Sequence, residues 1–237
     1  MDTNTLQTNL YGDKLVSLSV VYGADIASQR ADWMDADACE QITKRARSSE
    51  TKPRALDIGC GFGGQIFRMA QAGAHAIGVD SAHFDPEQRR LEAEKVVSGR
   101  IDFYQQNLMS LPQVGRSVLR NHFDVVVCQR TIHYLKHDRA QTALDRMGAV
   151  LKPGGFLYLS ASGLGSELSE GYSASVLPVS ERFAELGQTM ATKHQILTPV
   201  CLYTLSELEA LVEGSGFTII RSEVSAFGNI KVAAVRP

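Results

Sequence analysis

The sequence predicts a doubly wound α/β fold: a mostly parallel seven-stranded sheet with an antiparallel last strand, plus a small helical cap. Three observations carry this prediction. Between residues 54 and 160, short apolar runs alternate with amphipathic segments, as strands and helices do around a parallel sheet. The run Val125-Val126-Val127 is continuously apolar, as expected for a strand buried on both faces. The segments 217–224 and 229–235 are joined so closely that antiparallel pairing is expected.

Each predicted element follows from its local pattern. A helical pattern fills residues 1–52 and is clearest over 24–47. Thr204 and Glu207 form a capping box that starts a late helix, which ends near Gly216. Between these two regions, strands are predicted at 54–58, 75–79, 101–104, 123–128 and 156–160, and helices at 65–72, 86–97 and 140–151.

Residues 161–202 interrupt this alternation. Glycines and prolines punctuate the stretch, and its one amphipathic piece, 180–193, predicts a helix. A loop of this length in a compact domain is usually functional, so we interpret it as a cap over the strand ends. The predicted organisation is an N-terminal helical segment, 1–52, that covers the site, and a ligand-binding α/β domain, 53–237, with the cap inserted at about 161–202.

Composition narrows the functional classes. The chain has 237 residues, 44% of them hydrophobic, which is enough for one large core. Its net charge of −2 predicts no general affinity for nucleic acid. No apolar run approaches the roughly 20 residues of a membrane span, and the polar N-terminus does not resemble a signal peptide. The four cysteines show neither paired nor metal-ligand spacing. We therefore expect a cytoplasmic protein with no metal and no membrane partner.

The stretch from Asp57 to Gly64 is the most informative part of the chain. It joins a strand end, a carboxylate and a glycine-rich turn, which lets a nucleotide-like ligand lie against bare backbone. Gly59, Gly61 and Gly64 also fit the dinucleotide pattern, with Asp80 placed to bind a ribose, so an NAD-dependent oxidoreductase is one alternative. Asp57 favours S-adenosylmethionine (SAM), because a carboxylate repels a pyrophosphate and attracts sulfonium and ammonium groups.

The order of motifs resembles that of the class I SAM-dependent methyltransferases, from about residue 54 to the C-terminus. The motifs in question are Leu56-Asp57-Ile58-Gly59-Cys60-Gly61, Gly78-Val79-Asp80-Ser81, Gln106-Asn107-Leu108-Met109-Ser110-Leu111-Pro112, Phe123-Asp124-Val125-Val126-Val127-Cys128-Gln129 and Leu151-Lys152-Pro153-Gly154-Gly155. The resemblance implies that residues 53–237 form a SAM-binding methyltransferase domain, with SAM as cofactor and methyl transfer by in-line displacement. A SAM-binding protein without methyl transfer is a further alternative.

The resemblance also implies which residues bind the cofactor. Asp57 would lie near the SAM amino group, Asp80 would accept both ribose hydroxyls, and Gln129 would line the methionine side. Asn107 stands where the family usually has Asp, and its carbonyl oxygen can still accept a bond from adenine. The implied set is Asp57, Gly59, Cys60, Gly61, Asp80, Ser81, Asn107, Leu108 and Gln129.

The acceptor is predicted to be a small molecule. No N-P-P-Y or D-P-P-Y motif follows the fourth strand and no Pro-Cys dipeptide occurs, which disfavours two nucleic-acid-methylating classes. His133, beyond the fourth strand, is the candidate general base, and the alternative is that it packs under the cofactor. The candidate substrate contacts are Tyr11, Tyr22, Arg30, His133, Tyr134, Glu167, Tyr172 and His194.

Overall fold

A seven-stranded sheet forms the centre of the molecule in a computed structural model that describes residues 31–82 and 99–237. Its strands are β1 (Arg54–Ile58), β2 (His75–Asp80), β3 (Arg100–Gln105), β6 (Phe123–Gln129), β7 (Leu151–Ser162), β8 (Thr218–Val224) and β9 (Asn229–Val235). The spatial order is β3-β2-β1-β6-β7-β9-β8. A separate hairpin joins β4 (Gln113–Val114) and β5 (Ser117–Val118).

The direction of the strands matches the prediction. β9 is antiparallel to both of its neighbours, β7 and β8, and the pairs among β3, β2, β1, β6 and β7 are parallel. The predicted fold class is therefore confirmed. Because the five parallel strands end at the same edge, the loops that follow them converge there, and in open α/β sheets ligands bind at this carboxyl edge.

Helices cover both faces of the sheet. They are α1 (Trp33–Ser48), α2 (Gly64–Gln71), α3 (His137–Val150), α4 (Gln188–His194) and α5 (Leu205–Gly214), with 3-10 segments at Leu108–Ser110, Ile132–Tyr134, Glu167–Ser169 and Ser173–Val176. Buried side chains of α1 and α2 share one cluster with the sheet, and those of α3 and α5 share the other. The two faces are thus sealed by different parts of the chain.

α1 packs on the sheet through a regular apolar stripe. Met34, Ala38 and Ile42 recur every four residues and are fully buried. Asp32 caps the helix, and a capping box with Asp35 fixes its first turn. The predicted helix over 24–47 is seen from residue 33 onward, and it is wrong at residues 31 and 32, because Asp32 is the extended N-cap of α1. Residues 24–30, and all of the predicted helix at 86–97, lie outside the described residues.

The cap, residues 163–203, is only partly as predicted. The helix expected over 180–193 is wrong for most of its length, because α4 begins at Gln188. Ahead of it the chain is irregular, and Ala184 bridges to Val200 in extended pairing. The physical reason is that the amide and the carbonyl of Ala184 bond to the backbone of Val200 over 3.1 and 2.8 Å, so they are not available to a helix. Arg182, which is 5% exposed, stabilises this irregular chain by donating to the carbonyls of Leu177 and Leu202.

Candidate active site

The turn after β1 presents its backbone at the carboxyl edge of the sheet. Gly59, Gly61 and Gly63 have φ values of +71°, +50° and +87°, in the left-handed region that favours glycine. The amide of Gly59 donates to the carbonyl of Val79 over 2.8 Å, so the turn is fastened to the end of β2. Gly63 is the N-cap of α2, which therefore starts at Gly64 as the sequence motif indicated.

Gly59 is required for a second reason. A Cβ at this position would lie 2.0 Å from Oγ1 of Thr131, in the loop that follows β6. Thr131 is itself held in place, since its hydroxyl donates to the carbonyl of Gln129 over 3.1 Å. The loops after β1 and β6 therefore pack in direct contact. Thr131 was not among the predicted site residues, because nothing in the local sequence reveals which loop touches the turn.

Asp80 ends β2 and organises the loops around it. Its Oδ2 accepts from the amide of Gly61 and its Oδ1 from the amide of Ala82, both over 2.9 Å. A carboxylate oxygen can accept more than one hydrogen bond, so these bonds leave acceptor capacity on both oxygens. The carbonyl of Ser81, the next residue, accepts from the Gln105 side chain over 3.3 Å. Asp80 thus shapes the turn in addition to its predicted ribose contact.

Asn107 and Leu108 lie beyond the end of β3. The side-chain oxygen of Asn107 accepts from the amide of Met109 over 2.9 Å and caps the short segment Leu108–Ser110. Asn107 is exposed at the same edge as the glycine turn. Its carbonyl oxygen is oriented by this cap and retains a second lone pair for the predicted bond to adenine.

Two buried acidic residues lie on the α1 side of this edge. Asp57, near the end of β1, is 5% exposed, and Asp35, on α1, is 1% exposed. Asp35 accepts from Nε2 of Gln129 over 2.8 Å, and its carboxylate lies 3.4 Å from the guanidinium of Arg68 on α2. Burial raises the pKa of Asp35, and the charge of Arg68 opposes that rise. Sequence reasoning missed Asp35 and Arg68, since each lies far along the chain from Gln129.

His133 is enclosed rather than open to solvent. It is 2% exposed, and its Nδ1 accepts from the amide of Ser162 over 3.4 Å. Its ring centroid lies 4.4 Å from that of Tyr134, which is 39% exposed. Burial, with a smaller contribution from Arg130, lowers the pKa of His133 to about 3. His133 is therefore neutral at physiological pH and a weak proton acceptor, and its role as a general base stays a prediction.

Three predicted substrate contacts belong to the cap. Tyr172 is 2% exposed, and its hydroxyl approaches the carbonyls of Arg182 and Val200 over 2.8 and 2.7 Å. Burial raises the pKa of Tyr172 to about 12. Glu167 pairs with Lys193 over 2.5 Å and with His194 over 2.8 Å. All three side chains make contacts within the cap itself, and their roles as substrate contacts stay predictions.

The other predicted substrate contacts are in the N-terminal segment. Tyr11, Tyr22 and Arg30 lie outside the described residues. Within residues 31–82 and 99–237, no group of three or more His, Cys, Asp or Glu side chains could hold a metal ion. In the same part of the chain, no helix is both long and apolar enough to cross a membrane.

The comparisons with known proteins agree with this geometry. Residues 55–155 match the family model described as a methyltransferase domain. The ubiquinone biosynthesis O-methyltransferase of Nitrobacter winogradskyi is 30% identical over 125 residues, which cover 52% of this chain and 44% of that protein. The matched segment thus spans about half the length of the curated relatives or less.

Two solved structures share the fold. Magnesium protoporphyrin IX methyltransferase (ChlM) from Synechocystis PCC 6803, with bound S-adenosylhomocysteine (SAH), has a TM-score of 0.58 at 17% identity; 96% of this chain and 90% of that chain are covered. A 1,6-didemethyltoxoflavin-N1-methyltransferase from Burkholderia thailandensis, with 1,6-didemethyltoxoflavin and SAH bound, has a TM-score of 0.56 at 21% identity over 94% of each chain. Identities this low show the fold alone. Residues 55–155 match a methyltransferase domain, and the sheet order and the glycine turn are those of a Rossmann-like methyltransferase fold.

Proposed function

We propose that this chain binds SAM at the carboxyl edge and transfers its methyl group to an oxygen or nitrogen atom of a small molecule. The observation that carries the proposal is the left-handed turn Gly59–Gly63, fastened by Asp80 and placed beside the buried Asp57. Bare backbone with a carboxylate on each side suits a cofactor that has a ribose and positive charges but no phosphate. The ubiquinone biosynthesis O-methyltransferases among the related proteins support a small-molecule acceptor with an oxygen atom as one choice.

Different residues at the carboxyl edge bind different parts of the cofactor. The turn offers backbone to the methionine part, and Asp80 offers carboxylate oxygens to the ribose hydroxyls. Asp57 favours positive charge at the methionine end, and Gln129 lines the same end. Asn107 and Leu108 receive the adenine ring. When bound, SAM supplies a methyl group activated by a sulfonium leaving group.

Little proton chemistry is then needed from the protein. Its main contribution to an in-line displacement is to align the acceptor with the methyl group and to exclude water. The buried, neutral His133 can pack beneath the reacting groups, and its lowered pKa of about 3 makes it a poor base at neutral pH. We therefore propose that alignment contributes more to catalysis than proton transfer to His133.

The first test is calorimetry on the purified chain with SAH and, separately, with NAD. We expect SAH to bind at about micromolar concentration and NAD far more weakly, because the carboxylate of Asp57 repels the pyrophosphate. Replacing Asp80 by Ala removes both loop bonds and the ribose acceptor, and should weaken SAH binding by about 30-fold or more.

The matched control for this variant is Asp102→Ala. Asp102 lies on β3 next to the strand that ends in Asp80, and it pairs with His75 over 2.6 Å, away from the turn. We expect its removal to leave SAH affinity unchanged. Tighter binding of NAD than of SAH would overturn the proposed function in favour of an oxidoreductase. Binding of SAH without methyl transfer to any acceptor in a broad small-molecule panel would favour a SAM-binding protein instead.

A further inference from the structure

Gln129 connects the proposed cofactor site to helix α1. It ends β6 at the carboxyl edge, and its side chain lies on the sheet face covered by α1. An amide side chain has a donor end and an acceptor end, and which of them faces the cofactor decides which cofactor group it can bind. The environment of Gln129 fixes this choice.

Asp35 determines the orientation of the Gln129 amide. Nε2 of Gln129 donates to Oδ1 of Asp35 over 2.8 Å. An ionised carboxylate can only accept hydrogen bonds, so the reverse orientation would set two acceptor oxygens against each other. The carbonyl oxygen of Gln129 is therefore turned away from Asp35. An acceptor with that orientation suits a donor that carries positive charge, such as an ammonium group.

Asp35 is itself held so that it can impose this orientation. Its Oδ2 accepts from the amide of Asp32 over 2.8 Å, and Oδ1 lies 3.4 Å from Nη2 of Arg68. Nε of Arg68 donates to Gln65 over 2.8 Å, which fixes the guanidinium on α2. Donors from a helix cap, from a cation and from Gln129 thus converge on one carboxylate that is 1% exposed. These donors favour the ionised form of the carboxylate and oppose the burial that raises the pKa of Asp35.

We propose that Asp35 is a positioning residue: it holds the Gln129 amide so that its carbonyl oxygen accepts a hydrogen bond from the ammonium group of the cofactor's amino-acid end. The inference rests on the proposed function, since it needs a cofactor with such a group near Gln129. It also links cofactor affinity to α1, because Asp35 lies in the first turn of that helix.

The decisive test compares two ligands that differ only at the amino-acid end. SAH carries the ammonium and carboxylate groups, whereas 5′-methylthioadenosine keeps the adenosine and thioether and lacks both. In Asp35→Asn, the Gln129 amide is free to turn over, and we expect SAH affinity to fall by about tenfold while 5′-methylthioadenosine affinity changes by less than about twofold. Calorimetry measures both affinities without requiring knowledge of the acceptor.

An exchange of the two side-chain chemistries provides the rescue. Gln129→Glu alone sets two carboxylates in contact and should weaken SAH binding. Combined with Asp35→Asn, the amide and the carboxylate have exchanged places, and the new carboxylate can still accept from the ammonium group. We expect the double variant to recover SAH affinity to within roughly threefold of the wild type. A structural role for Asp35 alone would predict additive losses instead.

The matched control is Asp37→Asn on the same helix. Its carboxylate accepts from the Tyr158 hydroxyl over 2.5 Å, so the substitution removes a negative charge from a half-buried bond outside the Gln129 contact. We expect lower thermal stability and an unchanged ratio of the two ligand affinities. Should Asp35→Asn fail to fold, Gln129→Met serves in its place, and the same selective loss of SAH affinity is expected.

Three results would overturn the inference. Equal losses for SAH and 5′-methylthioadenosine in Asp35→Asn would reduce Asp35 to a structural role. Unchanged SAH affinity in both Asp35→Asn and Gln129→Met would remove Gln129 from the ammonium site and leave the proposed function intact. Failure of the wild-type chain to bind SAH at all would overturn the proposed function and this inference together.

Discussion

The carboxyl edge and the cap are built by opposite means. At the edge, the chain turns on left-handed glycines and fastens backbone to backbone, as Gly59 does to Val79. In the cap, backbone carbonyls are bonded to buried side chains, chiefly the guanidinium of Arg182 and the hydroxyl of Tyr172. The edge therefore depends on glycines, which have no Cβ, and the cap depends on side chains that donate hydrogen bonds.

This difference explains why the two regions respond differently to sequence change. A glycine turn is a local motif that tolerates almost no substitution, because a Cβ would meet a neighbouring loop. A cap built on side-chain donors can be rebuilt with other donors at other positions, as long as its buried carbonyls remain bonded. A region that can be rebuilt in this way suits a cap that is expected to cover the strand ends.

Loss of Arg182 should have the largest effect, centred on the cap and on the start of α5, which contains its partner Glu207. Arg182→Met removes donors to Leu177 and Leu202 and leaves Glu207, its partner at 2.7 Å, without that cation. We expect the free energy of unfolding to drop by about 3–5 kcal/mol, because breaking a buried pair leaves polar groups unpaired. Hydrogen exchange should speed up over residues 163–203, with SAH binding retained.

The control for this variant is Arg100→Met. Arg100 is exposed and pairs with Asp102 over 3.1 Å, so its loss should change stability by no more than about 1 kcal/mol. If Arg182→Met abolished SAH binding while leaving exchange in the cap unchanged, the separation between the edge and the cap would be wrong.

Gly59→Ala should produce the opposite outcome, with SAH binding lost and the cap retained. The added methyl group would lie 2.0 Å from Thr131 Oγ1, on a residue with φ of +71°. Gly154 is a matched control, since its φ is also +71° and a Cβ there would meet nothing within 4 Å. We expect Gly154→Ala to lower the free energy of unfolding by about 1–2 kcal/mol through backbone strain. Gly59→Ala should lower it by about 1–3 kcal/mol more, because of the clash.

Chemical denaturation and SAH calorimetry on the two glycine variants separate these contributions. Similar losses in both would show that the left-handed backbone alone makes Gly59 necessary. Retained SAH affinity in Gly59→Ala would remove the turn from the cofactor site.

His133 lies between the two regions, since its carbonyl accepts from the amide of Cys201 in the cap over 2.8 Å. Its pKa of about 3 in the folded chain lies below the usual value near 6.5, so between these pH values only the unfolded chain binds the proton. Acid therefore destabilises the fold. Lowering the pH from about 7 to about 5 should lower the free energy of unfolding by about 2 kcal/mol, because His133 takes up a proton only in the unfolded chain.

The variant His133→Asn should lose most of this pH dependence, because it keeps an acceptor for the Ser162 amide and does not titrate in this range. Denaturation at the two pH values measures the difference. An identical pH dependence in wild type and variant would show that His133 titrates normally, and would restore it as a candidate general base.

The sequence alone determined the sheet and the cofactor edge, because these depend on short-range patterns. Val125-Val126-Val127 marked the central strand, Thr204 and Glu207 marked a helix start that the structure confirms, and the glycines marked the turn. In each case one residue type at one spacing is dictated by backbone geometry or burial.

Only the tertiary structure decided which distant groups meet. It set Thr131 against Gly59, Asp35 against Gln129, and Arg182 into the cap, where a helix had been expected. It also enclosed His133, whose position after the fourth strand had suggested an open base. These contacts join residues separated by up to 94 positions, and a single sequence carries no local pattern for such pairs. Burial and hydrogen bonding between elements fix them, and both arise only once the sheet has brought its loops to one edge.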